Sequence, residues 1–244
     1  MLRFEGPSGK VLETEEPRTS GELITSWKLG KGVVAARVDG VLVDLSTPLT
    51  EGGTVEPVAG DCEEGLEILR HSAAHLMAQA IRRLFPEARF GIGPAVKDGF
   101  YYDVLPPRAL TEEDLPVIQA EMDRIVQEDV RVERRVLPRE EVIRLFRQRG
   151  EIFKLELLGE IPDEEISTYW QGDFVDLCRG PHVPCTSLLR HVKLLSLAGA
   201  YWRGNEKNVM LTRIYGTAFG DKASLEQHLK RLEEAKQRDH RKLG

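Results

Sequence analysis

The sequence has few of the features that mark secreted and membrane proteins. Its three cysteines, Cys62, Cys178 and Cys185, are too few and too scattered for a disulfide scaffold, which favours a reducing cytoplasm. No apolar run approaches the roughly 20 residues that a membrane-spanning helix needs. Residues 1–6 lack the charged-then-apolar pattern of a signal peptide. We therefore expect a cytoplasmic protein without a membrane partner.

The charge balance excludes a general nucleic-acid coat protein. The chain has 34 basic and 40 acidic residues and a formal net charge of −6, whereas such a coat is strongly basic. A local basic groove stays compatible with this balance, because the field depends on how the charges are distributed. The 244 residues, 41% of them hydrophobic, predict one large globular domain or two unequal ones.

The first 60 residues predict a small domain of their own. The pair Asp39-Gly40 joins two β-branched runs and indicates a hairpin, since both residues accept a positive φ. The order of elements suggests a ubiquitin-like β-grasp, for which we expect a packing or RNA-docking role. The predicted elements are strands at 2–4, 10–14, 33–38, 41–45 and 54–58 and a helix at 22–27.

Residues 61–220 predict a larger α/β sandwich, so the expected fold class is α+β. Residues 221–244 predict an exposed helix with a narrow apolar stripe and a basic end at 240–242. We expect this helix to reach toward something outside the chain. Within the sandwich, predicted helices lie at 63–84, 111–129 and 138–150, and predicted strands at 99–104, 131–137, from 153 onward, 166–170 and 210–215.

Two polar clusters lie a hundred residues apart. His71 and His75 are four residues apart on the predicted helix 63–84, which places both imidazoles on one face. They lack the glutamate that makes the His-Glu-x-x-His pattern of metalloproteases specific. Cys178 and His182 flank a Gly-Pro pair, which forbids a regular helix and indicates a loop. If the fold joins the clusters, these residue types suit metal binding or catalysis.

Lys154 follows the predicted helix end at Gly150, in the run Ile152-Phe153-Lys154-Leu155. We predict a strand start there. Local sequence alone favours an exposed strand lysine.

Several of these segments together resemble bacterial threonyl-tRNA synthetases. The likeness covers essentially the whole chain, but only the N-terminal region of that enzyme. It implies a TGS domain at 1–60, an editing domain at 61–220 and, at 221–244, a linker helix toward a catalytic core. The matching segments are HSAAHL (71–76), GP (93–94), GFYYD (99–103), DLCRGPH (176–182), AGAYWRG (198–204) and RIYGT (213–217).

The resemblance implies editing, the hydrolysis of seryl-tRNA(Thr). It assigns catalysis to His71, as water-positioning group or general base, and to Lys154. That lysine would orient a second water, protonate the leaving ribose oxygen or stabilise charge. No metal is expected for this reaction.

The resemblance also implies a set of substrate contacts. His75, Cys178 and His182 would shape a pocket that seats serine and excludes the extra methyl of threonine. Asp176 would orient the substrate amine or groups near it, and Tyr102 matches a position near the terminal adenosine.

Three alternatives stay open for the same residues. His71, His75, Cys178 and His182 form a plausible zinc set, as in the related alanyl-tRNA editing domains. Cys178 could act as a nucleophile, with Arg179 favouring its thiolate. The chain could also be a non-catalytic tRNA-docking module, with phosphate contacts from Arg131, Arg134, Arg135, Arg144, Arg147 and Arg149.

The sequence departs from the family in extent. No class II core with its ATP-binding arginine motifs follows Gly244, and no anticodon-binding domain is present. We therefore expect no aminoacylation from this chain alone, and ATP and zinc would belong to the absent core. The dimer interface of the family lies mainly in that core, so we expect this chain to be a monomer and the full-length enzyme a homodimer.

Overall fold

The structure, a computed structural model, describes residues 1–243 and side chains through residue 238. The predicted basic helix end at 240–242 therefore lies outside the described side chains. The chain forms six helices and fifteen strands within the described residues, a mixed α+β architecture.

The N-terminal segment, residues 1–60, builds a five-stranded sheet in the order β2-β1-β7-β4-β5. Strand β1 pairs parallel with β7, and the other neighbours are antiparallel. A capping box between Thr19 and Glu22 begins the single helix of the segment. The elements are β1 Leu2–Glu5, β2 Val11–Thr14, β3 Arg18–Thr19, α1 Ser20–Ser26, β4 Val33–Val38, β5 Val41–Val43, β6 Pro48–Leu49 and β7 Gly53–Ala59.

The rest of the chain contains two sheets and five helices among the described residues. One sheet has the order β14-β15-β10-β8, with β9 also paired to β10, and the other the order β11-β12-β13. The elements are α2 Glu63–Leu84, β8 Arg89–Phe90, β9 Ala95–Val96, β10 Gly99–Leu105, α3 Asp114–Glu128, β11 Val132–Pro138, α4 Arg139–Gln148, α5 Ile152–Leu158, β12 Glu165–Gln171, β13 Phe174–Leu177, β14 Val192–Tyr201, β15 Met210–Ala218 and α6 Lys222–Leu243.

Helix α2 is the central element of the core. Its residues from Ser72 to Ile81 are all buried, and they pack against α3, β10 and β15. Val34 and Val58 of the N-terminal segment belong to the same apolar cluster as Leu69 of α2. The N-terminal segment therefore packs directly on the helix that carries the paired histidines.

The predicted strand at Lys154 is wrong, because residues 152–158 form helix α5. Phe153 and Leu157, four residues apart, face a cluster around Trp202. Leu155 and Leu158, three apart, face the core between α4 and β12. These two clusters on two sides of one segment require helical spacing. The expectation of an exposed lysine is also wrong, since Lys154 is 3% exposed.

Helix α6 carries mostly exposed side chains as far as residue 238. None of the helices in residues 1–243 combines the length and apolar character that crossing a bilayer requires.

Candidate active site

Four side chains from two distant segments meet at one point. Helix α2 supplies His71 and His75, and the site loop, residues 178–182 after β13, supplies Cys178 and His182. One potential ligand atom from each of the four lies within 4.8 Å of the others. We call the three histidines the imidazole cluster; their ring centroids are 4.2–5.2 Å apart.

Hydrogen bonds fix the position of the His182 ring. Its Nε2 lies 3.2 Å from the Sγ of Cys178, which is also 3.5 Å from the Nε2 of His71. Its Nδ1 lies 3.0 Å from the hydroxyl of Ser72, which also accepts the backbone N–H of Val183 at 3.1 Å. Both ring nitrogens of His182 are thus engaged within the protein.

A buried ion pair lies behind the imidazole cluster. The Nζ of Lys154 is 2.5 Å from Asp176, and it donates to the Gly91 carbonyl at 2.7 Å and to the Tyr102 hydroxyl at 2.9 Å. Asp176 also accepts a hydrogen bond from Tyr102 and lies 3.3 Å from the Nε2 of His75. An ammonium carries three donors, and all three are occupied in this conformation.

Tyr102 points inward rather than toward a substrate surface. Its side chain is fully buried, and burial together with the Asp176 charge raises its pKa well above its usual value, so the hydroxyl stays protonated. In this conformation the ring has no surface to offer the terminal adenosine that the family resemblance implied. The neighbouring Tyr101 lies on the opposite face of β10, with Arg213 3.9 Å above its ring.

The imidazole cluster is neutral at physiological pH. Burial lowers the pKa of His71, an effect that the charge of Asp176 partly offsets. The pKa values of His75 and His182 lie well below the usual histidine value. Burial is the largest cause, and repulsion from the other members of the cluster lowers both values further. A neutral imidazole can accept a proton or bind a metal ion.

The thiol of Cys178 is protonated. Burial and the nearby Asp176 carboxylate raise its pKa to about 12, although the backbone N–H of Gly180 donates to the sulfur at 3.3 Å. The expectation that Arg179 would favour a thiolate is therefore wrong. A protonated thiol is a poor nucleophile.

A cleft of about 400 Å³ reaches the imidazole cluster at His71. His71 is partly exposed, whereas His75 and His182 are 5% and 1% exposed. The cleft lies between the N-terminal segment, α2, β9 and the site loop, and its lining residues are Leu42, Glu64, Glu67, Ile68, His71, Pro94, Ala95, Gly180 and Pro181. Of the four side chains that meet at the site, His71 is the one that lines this cleft.

The arginines predicted as phosphate contacts lie mainly around β11 and α4. Arg134, Arg144 and Arg147 are exposed. Arg135 is engaged locally, because it pairs with Glu133 at 2.8 Å and lies 4.5 Å over the Trp170 ring.

Sequence reasoning missed three residues that support the site: Ser72, Asp44 and Tyr169. Ser72 could have been found, since it follows His71 on a helix with a buried face. Asp44 and Tyr169 carry no local signal, because their contacts with His182 span 138 and 13 residues of sequence.

Comparisons with known proteins show what the chain is similar to. The profile described as "Threonyl and Alanyl tRNA synthetase second additional domain" matches residues 166–215, which include the site loop. The threonine–tRNA ligases of Carboxydothermus hydrogenoformans and Bacillus subtilis are each 51% identical over the whole chain. The homologues of this chain are thus bacterial threonine–tRNA ligases. The threonine–tRNA ligase of a Geobacter species is 54% identical over 88% of the chain.

The match covers only part of each threonine–tRNA ligase. The chain spans 39% of the Carboxydothermus protein, 38% of the Bacillus protein and 34% of the Geobacter protein. The homology and the matched profile support an editing or tRNA-related role.

Proposed function

We propose that this chain removes serine from mischarged tRNA(Thr) by hydrolysing the aminoacyl ester. The observation that carries the proposal is the neutral imidazole of His71, which lines an open cleft and clusters with His75, Cys178 and His182. The homology to threonine–tRNA ligases supplies the substrate class.

A threonine enzyme needs such a reaction for a physical reason. A synthetic pocket distinguishes serine from threonine through one missing methyl, which is worth only about 1–3 kcal/mol or roughly 10–200-fold. A second, hydrolytic site raises the selectivity if it works by exclusion. It must accept the hydroxymethyl side chain of serine and reject the larger side chain of threonine.

In the proposed mechanism, His71 accepts a proton from the water that attacks the ester carbonyl. Its lowered pKa keeps the ring unprotonated at neutral pH, so it is available as a base. The ester carbon becomes tetrahedral, the bond to the ribose oxygen breaks, and His71 returns the proton to that oxygen as it leaves, so the ring ends neutral. The ester is already activated, so the protonated thiol of Cys178 need not form a covalent intermediate.

Lys154 and Asp176 contribute to this mechanism as one buried unit. Asp176 fixes the ring of His75 through its Nε2, and Lys154 and Tyr102 hold the carboxylate in place. To reach the leaving oxygen or a second water, the ammonium must exchange one of its three present hydrogen bonds. Tyr102 is proposed to position Lys154 rather than to contact adenosine directly.

His75, Cys178 and His182 are proposed to form the serine-sized pocket. The rings of His75 and His182 lie 4.2 Å apart, and the Cys178 sulfur is 3.2 Å from His182. These side chains contact one another in this conformation, so they would have to separate to seat the serine side chain, and each further methyl group would add to the cost of that opening.

The test is deacylation of seryl-tRNA(Thr) by the intact chain. We expect hydrolysis by the wild-type protein and a loss of at least about 100-fold in the rate for His71→Ala, the usual scale of a general base. His191→Ala is the matched control, since His191 lies outside the imidazole cluster at the start of β14. Binding of seryl-tRNA(Thr) without cleavage would instead favour the non-catalytic tRNA-docking module.

Zinc-dependent hydrolysis of the same ester is the second candidate, favoured by the donor set. Zinc bonds of about 2.0–2.3 Å to nitrogen and sulfur separate two ligands by about 3.5 Å, close to the distances from Cys178 to His71 and His182. His71, His75, Cys178 and His182 would hold the ion, which when bound would lower the pKa of a water. Metal analysis of the purified chain, and deacylation after chelation, distinguish the two candidates.

The proposal extends to the organisation of the chain. Residues 1–60 would be a TGS-like β-grasp domain, 61–220 the editing domain and 221–244 a linker toward a catalytic core. The partner would be tRNA(Thr), and exposed arginines such as Arg134 and Arg144 would contact its phosphates.

A further inference from the structure

The site loop is held by a carboxylate from the N-terminal segment. Asp44 follows β5 and is 7% exposed. Its Oδ1 accepts the backbone N–H of His182 at 2.8 Å, and its Oδ2 accepts the hydroxyl of Tyr169 at 2.7 Å. One side chain from the first quarter of the chain thus joins the site loop to strand β12.

Tyr169 contacts the site loop at two places. Its ring centroid is 4.4 Å from that of His182. Gly180 has a φ of +75°, and a Cβ at that position would lie 1.7 Å from the Tyr169 hydroxyl oxygen. The loop therefore lies in close contact with Tyr169. Because Asp44 fixes the direction of the Tyr169 hydroxyl, Asp44 also affects the loop.

The main chain around Asp44 is itself fixed within the N-terminal segment. The Asp44 carbonyl accepts the hydroxyl of Ser20 at 3.0 Å and the N–H of Thr47 at 3.0 Å. Next to it, the carbonyl of Leu45 accepts the N–H of Gly21 at 2.8 Å. Helix α1 thus sets where the Asp44 carboxylate lies, and Leu42 of the same segment lines the cleft.

We infer that Asp44 is a positioning residue for the hydrolytic site, through which the N-terminal segment holds the site loop and the His182 imidazole in register with His71. The inference rests on the proposed function. It gives residues 1–60 a part in the rate of deacylation in addition to any part in tRNA docking.

Two substitutions of similar shape separate hydrogen bonding from packing. Asp44→Asn keeps an oxygen that can accept the His182 N–H, whereas Asp44→Leu removes both acceptors. We expect Asp44→Leu to lower kcat for seryl-tRNA(Thr) at least tenfold with KM within about threefold, because the buried His182 amide then loses its hydrogen-bond acceptor. Asp44→Asn should recover most of that loss.

The matched control is Glu51→Gln, which removes an exposed carboxylate from the same segment. A wild-type kcat for Asp44→Leu would overturn the inference. So would an equal loss for Asp44→Asn, since that variant retains the hydrogen bond.

Tyr169→Phe tests the second contact while keeping the ring. It should lower kcat less than Asp44→Leu, and the double variant should match Asp44→Leu alone, because the hydroxyl acts through the carboxylate. Fully additive losses would show that the two residues act separately and would contradict the inference.

Hydrogen exchange at the His182 amide gives a readout that does not need activity. The amide donates to Asp44, so its exchange should be at least tenfold faster in Asp44→Leu than in the wild type, with far-UV circular dichroism unchanged. If the wild-type chain fails to cleave the ester while this exchange difference appears, the proposed function fails and the anchoring contact stands. Equal exchange in both proteins would overturn the contact itself.

Discussion

Lys154→Met isolates the contribution of the buried ion pair. The substitution keeps the length of the side chain but removes the ammonium that lies 2.5 Å from Asp176, whose side chain is 2% exposed. The carboxylate is then a buried charge without its cation. Breaking a buried pair by removing one partner lowers the free energy of unfolding by about 3–5 kcal/mol, a large share of the roughly 5–15 kcal/mol of a typical domain.

The double variant Lys154→Met/Asp176→Asn gives the sharper result. Removing both charges removes the uncompensated one, so we expect the free energy of unfolding to rise by about 2 kcal/mol or more above that of Lys154→Met. Deacylation should stay abolished in both variants, because both lack the Lys154 ammonium. The second substitution would thus raise stability without restoring activity.

Urea denaturation at pH 7.5, followed by circular dichroism, measures the stabilities, and hydrolysis of seryl-tRNA(Thr) measures the activity. Lys193→Met is the matched control, because Lys193 is exposed on β14. The reasoning is refuted if Lys154→Met unfolds within about 0.5 kcal/mol of the wild type, the range expected of a surface substitution. It is equally refuted if the two single losses simply add in the double variant.

Three further predictions follow from the site. Burial lowers the pKa of the imidazole cluster in the folded state, whereas histidine in the unfolded chain titrates near 6.5. Stability should therefore be complete above about pH 6.5 and fall as pH drops toward the folded values, by up to about 1.4 kcal/mol per pH unit for each ring. A urea midpoint that stays constant from pH 7.5 to 5 would contradict this. Cys178→Ala should still hydrolyse seryl-tRNA(Thr), and a complete loss would restore the nucleophile hypothesis. Gly180→Ala should lower stability by about 2–4 kcal/mol, through its positive φ and the clash with Tyr169; an unchanged thermal midpoint would oppose it.

Helix α2 could be predicted from the sequence, but only part of the site could be. The spacing of Leu69, Leu76 and Ala80 predicts the helix, and the structure begins and ends it at Glu63 and Leu84, as predicted. The paired histidines and the Gly-Pro loop could be recognised because each lies within a short segment. Their meeting could not be derived from spacing, since it depends on how β13 packs beside α2.

The environment of Lys154 could not be predicted from its neighbours. The run Ile152-Phe153-Lys154-Leu155 follows the predicted helix end at Gly150 and suggests a strand start, yet two apolar clusters on different sides require a helix. Burial of the lysine depends on Asp176, 22 residues away, and on the carbonyl of Gly91. Contacts such as these, and that of Asp44 with His182, are set by tertiary packing and leave no local pattern.

The most direct test compares two esters in one assay. Single-turnover hydrolysis by the intact chain is measured on seryl-tRNA(Thr) and on threonyl-tRNA(Thr), with the same tRNA preparation. We predict rapid release of serine and release of threonine at least about 100-fold slower, because the pocket proposed for His75, Cys178 and His182 would exclude the extra methyl. Equal rates for the two esters, or no release of serine above the uncatalysed rate, would contradict the proposed site.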